Sequence, residues 1–231
     1  SGKIGDIIYS LPTIKALGGG IVYIPENTGE CLGLLSAIRS LLLSQSYINE
    51  VREYPSGLPY MAQAPGIHID HDLDTARLQP AKGVVHIVKR YMDAFGVRNH
   101  YWKDPWLSVG ESSISGSYSI VNYTGRHIKN EQTGRVSGVD WKRVFSSIKG
   151  WVFFVGTVQE HYWFYHNIAP VDYFQTIDIL DLAKVVGGAD AVYCNQSCVL
   201  ALSQALDKKR YLDIKPEKSN CILGAKNEFI L

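Results

Sequence analysis

Two kinds of apolar run alternate along this chain, and the alternation limits it to a small set of architectures. Short runs bounded by glycine or polar residues read as strands. Longer segments with apolar residues three and four apart read as helices. By these patterns residues 21–25, after Gly18-Gly19-Gly20, form a buried strand, 32–43 a helix, 48–54 and 67–70 strands, and 84–95 a helix stopped by Gly96. A Trp/Pro-rich connection at 101–107 and a Ser/Gly-rich stretch at 110–117 follow. The alternation then restarts, with strands expected at 118–123, 151–155, 191–195 and 210–214. Helices are expected at 138–148, 179–186 and 197–206. Strands alternating with helices imply parallel sheets joined by crossover helices. Two such series with a linker near residue 110 imply two Rossmann-like halves, 1–109 and 110–231.

Composition narrows the function. The 231 residues are 46% hydrophobic and 19% charged, enough for a sizeable core. Lys plus Arg (23) nearly balances Asp plus Glu (22), a net charge of +1. Without a global basic field, tight non-specific nucleic-acid binding is not expected. Cys31, Cys194, Cys198 and Cys221 lack the paired spacing of a zinc site, which points to a reduced, cytoplasmic protein. No apolar run is long enough to span a bilayer, and no signal peptide is visible.

The chain opens with Gly2-Lys3-Ile4-Gly5-Asp6, followed by Ile7, Ile8, Leu11, Ile14 and Leu17 at helical spacing. This reads as a glycine-rich loop opening a helix. Such a helix start presents unpaired N–H groups and partial positive charge. A loop of this kind normally follows a buried strand, so the chain reads as beginning one strand late. Asp6 is then either an acid at the mouth of a ligand crevice or an N-terminal cap. Lys3 and Gly5 share its loop.

In parallel α/β sheets ligands bind beyond the carboxyl ends of the strands. In the second half those positions hold Thr124, Gly125 and Arg126; Gly156, Thr157 and Glu160; and Asn195, Gln196 and Ser197. Arg126 is a solvated loop cation or a diphosphate ligand, with Lys129 and Arg135 as alternatives in the same loop. Glu160 is a cap or a partner for ligand hydroxyls, and Asn195 to Ser197 are caps, ligand contacts or both. Asp70-His71-Asp72 with Asp74 has the Asp-x-Asp spacing of some metal sites, but no metal is expected there. The aromatic run His161 to His166 reads as helix packing or, as the alternative, a stacking surface. A nucleophile elbow and the Gly-x4-Gly-Lys-Ser/Thr spacing are both missing, which argues against hydrolases and nucleoside triphosphatases.

Gly5-Asp6-Ile7-Ile8-Tyr9-Ser10-Leu11-Pro12, with Ala16-Leu17, resembles the N-terminal signature of heptosyltransferase-like glycosyltransferases. The segment 179–208 resembles their C-terminal signature through Asn195-Gln196-Ser197 and Ala201-Leu202-Ser203-Gln204-Ala205-Leu206. The resemblance implies a GT-B fold, two Rossmann-like domains with parallel sheets facing across a cleft. It implies an acceptor-side domain at 1–109 and a nucleotide-sugar domain at 110–231. It implies metal-independent transfer from a nucleotide-sugar without a resident cofactor. By it Asp6 is the general base, Lys3 and Gly5 lie in the acceptor-side loop, and Arg126 or Lys129 neutralises the diphosphate. Ser197 stands at the helix N-terminus that receives phosphate. The chain departs from the family at Gln196 (family Asp), Cys198 (family Gly) and Ala201 (family His). It thereby resembles a divergent branch such as phages carry, whose acceptor is a saccharide or a modified base in phage DNA. The departures keep open a catalytically silent nucleotide-sugar or partner-binding module. A sugar-nucleotide epimerase of the same fold, using His161 or His127, is a further alternative.

Overall fold

The computed structural model describes residues 3–28, 32–55, 67–74, 76, 85–98, 104–124, 139–214 and 220–231. The chain packs as two compact units, Ser1–Ser108 and Val109–Leu231.

The first unit contains α1 (Ile4–Ala16), β1 (Gly20–Pro25), α2 (Leu34–Leu43), β2 (Ile48–Tyr54) and α3 (Ile87–Ala94). β1 and β2 are parallel, and α2 is the crossover between them. Every residue of α1 from Ile7 to Ile14 is buried, so the helix is enclosed and not amphipathic. Pro12 lies inside it. Proline has no N–H, which removes the usual donor to the carbonyl of Ile8. The indole N–H of Trp106, itself 2% exposed, donates to that carbonyl at 3.1 Å. The turn after α1 passes so close to Tyr47 that a Cβ on Gly19 would lie 1.7 Å from the Tyr47 carbonyl oxygen. Only glycine fits there.

The N-terminus of α2 is capped by the preceding loop. Its N-cap, Gly33, has no side chain to offer. Instead Glu26, just past β1, accepts from the Ser36 N–H (3.0 Å) and hydroxyl (2.6 Å). Asn27 Oδ1 accepts from the Gly33 N–H at 3.0 Å. A carboxylate at this end of a helix is favoured by the dipole.

The second unit is one parallel sheet of β3 (Tyr118–Asn122), β4 (Trp151–Phe154), β5 (Asp172–Tyr173), β6 (Ala191–Cys194), β7 (Arg210–Leu212) and β8 (Glu228–Ile230). The order across the sheet is β5-β4-β3-β6-β7-β8, the doubly wound Rossmann arrangement. Its helices are α4 (Trp141–Ser146), α5 (Val158–Asn167), α6 (Ile179–Gly188) and α7 (Cys198–Ala205). One face carries an aromatic-rich core in which Val121, Tyr123, Phe154 and Tyr193 meet Trp141 of α4 and Phe164 of α5. On the other face Tyr118 donates its hydroxyl proton to the carbonyl of Val185 in α6. There too Arg210 Nε donates to Glu228 Oε2 at 2.7 Å, both side chains 1% exposed. Gln204 Nε2 of α7 donates to the same oxygen, and the Gly224 N–H donates to Oε1.

Several elements differ from expectation. Gly5 is helical, because α1 starts at Ile4. Within β1 only Ile24 is buried, and Ile21 is 47% exposed, so the strand is half-covered. Residues 67–70 alternate like a strand but are irregular, with no strand pairing among the described residues. α2 starts at Leu34, leaving Leu32 82% exposed. β5 and β8 have no counterpart in the apolar pattern.

Arg210→Met should destabilise the second unit by about 3–5 kcal/mol, because it strands a buried Glu228 carboxylate. Adding Glu228→Leu should recover most of that loss, as read from urea unfolding midpoints.

Candidate functional site at the switch point of the second sheet

The chain leaves β3 toward β4 and β5 on one side, then returns to build β6, β7 and β8 on the other. The reversal opens a crevice at the carboxyl ends of β3 and β6, where ligands of this fold class bind. Thr124 follows β3, and Asn195, Gln196 and Ser197 follow β6, so these four expected residues come together.

The geometry gives them distinct roles. Asn195 is 1% exposed, and its amide clamps Thr124 at two points. Oδ1 accepts from the Thr124 N–H at 3.0 Å, and Nδ2 donates to the Thr124 carbonyl at 2.9 Å. These bonds extend the β3–β6 pairing past the backbone ladder. Ser197 is the N-cap of α7, its hydroxyl accepting from Leu200 N–H at 3.4 Å. Gln196 is half-buried and reaches Asn220 Oδ1 at 3.5 Å.

The end of β4 adds Gly156, Thr157 and Glu160. Thr157 caps α5, and Glu160 returns a bond to the Thr157 N–H at 3.0 Å, a complete capping box. Gly156 adopts φ +143°, and a Cβ there would meet Asn122 Nδ2 at 2.8 Å and Glu160 Oε2 at 2.9 Å. Asn122, the last residue of β3, donates from Nδ2 to the Val155 carbonyl at 2.7 Å, and its buried Oδ1 has no partner among the described residues. Side chains thus splice β3 to both of its neighbours just beyond the sheet. Asn122 is a site residue that sequence reasoning missed. Its signal is a polar residue closing an otherwise apolar strand. Tyr123 is a second: its hydroxyl bonds Asp213, just past β7.

Cys198, first residue of α7, has its thiol pushed up to about 11, chiefly by burial and then by the nearby Glu160 carboxylate. It is therefore a neutral thiol at physiological pH.

Other expected residues fall elsewhere. Arg126, Lys129, Arg135, Gly125 and His127 lie outside the described residues. Lys3, Gly5 and Asp6 belong to the first unit. Lys3 is the N-cap of α1, with no side-chain capping bond, and Gly5 and Asp6 lie in the first turn. Asp6 is thus not the cap. His161 Nε2 lies 2.8 Å from the Val171 carbonyl, and its ring stacks on Tyr173. The ring is a packing group of α5. Asp70 pairs with His68, and Asp72 accepts from the Asp74 N–H. Among the described residues no three His, Cys, Asp or Glu gather to hold a metal. An open depression of about 350 Å³, lined by Phe145, Val152, Tyr165 and Pro170 to Asp172, lies at the amino ends of β4 and β5.

No protein-family model matches the sequence, and no curated relative matches it. Solved structures do match. Heptosyltransferase WaaC of E. coli with ADP aligns at a TM-score of 0.61 and 14% identity, covering 100% of this chain and 90% of that one. The same enzyme with ADP-2-deoxy-2-fluoro heptose gives 0.60 and 12% at the same coverage. A glycosyl transferase family 9 protein from Veillonella parvula gives 0.63 and 10%, covering 99% and 82%. The fold is that of the heptosyltransferase-like glycosyltransferases. Among the described residues no helix is long and apolar enough to cross a membrane.

Asn195→Leu should cost about 1–3 kcal/mol, since it leaves both polar groups of Thr124 without their partner. Asn195→Asp, which keeps the acceptor and loses the donor, should fall between. Chemical denaturation of the three proteins measures both effects.

Proposed function

We propose that the protein is a metal-independent, inverting glycosyltransferase, moving a sugar from a nucleotide-sugar to an acceptor hydroxyl. One observation carries the reading. The six-stranded sheet gathers Thr124, Asn195, Gln196 and Ser197 at its switch point, in a fold shared with enzymes solved with ADP and an ADP-sugar.

In this reading the donor diphosphate lies before α7, where the helix dipole favours negative charge. Arg126 or Lys129 adds a cation, the element best suited to a leaving diphosphate. Gly156 and Thr157 form the donor-side turn after β4, and Glu160 takes hydrogen bonds from donor hydroxyls. Asp6 takes the proton of the acceptor hydroxyl as that oxygen attacks the anomeric carbon, and the nucleoside diphosphate departs from the opposite side. Lys3 and Gly5 belong to the same acceptor-side turn. No resident cofactor takes part. The acceptor is a saccharide or a modified base in phage DNA, and the reaction is cytoplasmic. Transfer should accordingly persist in chelator. A second reading, a silent nucleotide-sugar-binding module, is favoured by Gln196 and Ala201, which stand where the family has Asp and His. Binding without turnover would identify it.

The test begins with ADP and ADP-heptose in a thermal-shift titration. A ligand at 100 times its dissociation constant should add about 2.7 kcal/mol of stability. If no nucleoside diphosphate or nucleotide-sugar raises the melting temperature, the donor site is refuted.

Asp6→Asn should lower transfer about 10²–10⁴-fold while donor affinity stays unchanged, because the amide keeps the shape and cannot take a proton. Wild-type turnover in this variant would reduce Asp6 to a first-turn dipole partner.

A further inference from the structure

We propose that Trp106 is the positioning residue for Asp6, acting through the carbonyl of Ile8. The inference rests on the reading of Asp6 as the base, and it begins with Pro12. A proline inside a helix removes one ladder bond, and its ring pushes the carbonyl four residues earlier out of line. In α1 that carbonyl belongs to Ile8, which is completely buried. Without an outside donor it would be a buried acceptor with no partner, and the helix would be one ladder bond weaker there. The Trp106 indole supplies the donor at 3.1 Å.

The bond falls at a mechanically significant place. Amino-terminal to it lies a little more than one turn, with Asp6 two residues from Ile8. Carboxy-terminal to it, α1 is fixed to the unit: Gly19 N–H bonds the Ile14 carbonyl and Gly20 N–H bonds the Tyr47 carbonyl. The first turn joins this fixed part across the stretch of helix that proline leaves one ladder bond short. Whatever holds the Ile8 carbonyl therefore aims Asp6.

Trp106 is itself held. Its carbonyl accepts from the Tyr47 hydroxyl at 3.1 Å. Two residues on, Gln45 clamps Ser108, with Oε1 accepting from its N–H at 3.0 Å and Nε2 donating to its carbonyl at 3.1 Å. Gln45 is 2% exposed. An indole that merely filled space would need none of this. Here both neighbouring carbonyls and one N–H of the segment are tied down, and the ring nitrogen meets the one carbonyl of α1 that proline leaves unpaired.

The experiment uses Trp106→Phe, which keeps an aromatic ring and deletes the donor, and Pro12→Ala, which restores an N–H to Ile8 within the helix. The full chain, labelled with ¹³C-aspartate, is titrated with pH, the Asp6 carboxyl signal being assigned from Asp6→Asn. Trp106→Phe should shift the Asp6 resonance or its titration midpoint. Pro12→Ala/Trp106→Phe should return it to the position seen in Pro12→Ala alone. Turnover, followed as ADP release from ADP-heptose, should fall about 10-fold or more in Trp106→Phe, with KM for the donor within about twofold. It should fall no further when Trp106→Phe is added to Asp6→Asn. If Trp106→Phe does not fold, Gln45→Met, which unseats Ser108 and leaves the indole in place, carries the same carboxyl readout. An unmoved Asp6 resonance in every variant overturns the proposal. So does an equal effect of Trp106→Phe with and without Pro12, which is the signature of packing alone. A shifted resonance together with full turnover in Asp6→Asn would instead keep the lever and remove the base.

Discussion

The pairing of β3 with β6 is the constraint on which the second unit depends. These strands are separated in sequence by three helices and two strands, yet they form the centre of the sheet. Their adjacency turns a row of strand ends into a crevice. Backbone hydrogen bonds alone would end at Cys194 and Asn122, and the loops beyond would be free to part. The Asn195 amide carries the pairing onward to Thr124, while Asn122 does the same toward β4 through Val155. Two asparagines, one on each side of the reversal, hold the crevice in a fixed shape before anything enters it. Preorganisation of this kind lowers the ordering cost that any binding event at these strand ends would carry.

Much of the second unit is legible in the sequence because its signals are local. Ser197 precedes an apolar run and caps α7, and the strand at 118–123 is apolar enough to be central. The missed pieces fail for reasons of range. β5 is two residues long and has no period to read. β8 contains Glu228, which looks like a surface acid until Arg210, eighteen residues away, neutralises it in the core. Gly5 reads as a loop because glycine is a poor helix former, but enclosure of α1 on all sides outweighs a cost of about 1 kcal/mol. The segment 67–70 shows the converse: four residues of period-two alternation do not by themselves make a strand.

The candidate site divides in the same way. The strand-end positions were visible, because fold class alone directs attention to them. Their roles were not. Asn195 looks like a ligand contact in sequence and is a strut in three dimensions, a distinction that depends on Thr124, 71 positions earlier. The Trp106–Ile8 bond spans 98 positions and is equally hidden, although Pro12 announces that some carbonyl in α1 needs a donor from elsewhere.

Glu26 has a wider consequence. Its carboxylate lies at the start of α2 as a built-in anion, so that helix end is neutralised by the chain's own charge. The start of α7 is capped by the Ser197 hydroxyl, which leaves no carboxylate bonded to its first-turn amides among the described residues. At α2, by contrast, the first-turn donors are already occupied by the chain's own anion. A helix start closed in this way is a structural joint between β1 and α2 and has no donor left over for a ligand at Ser36.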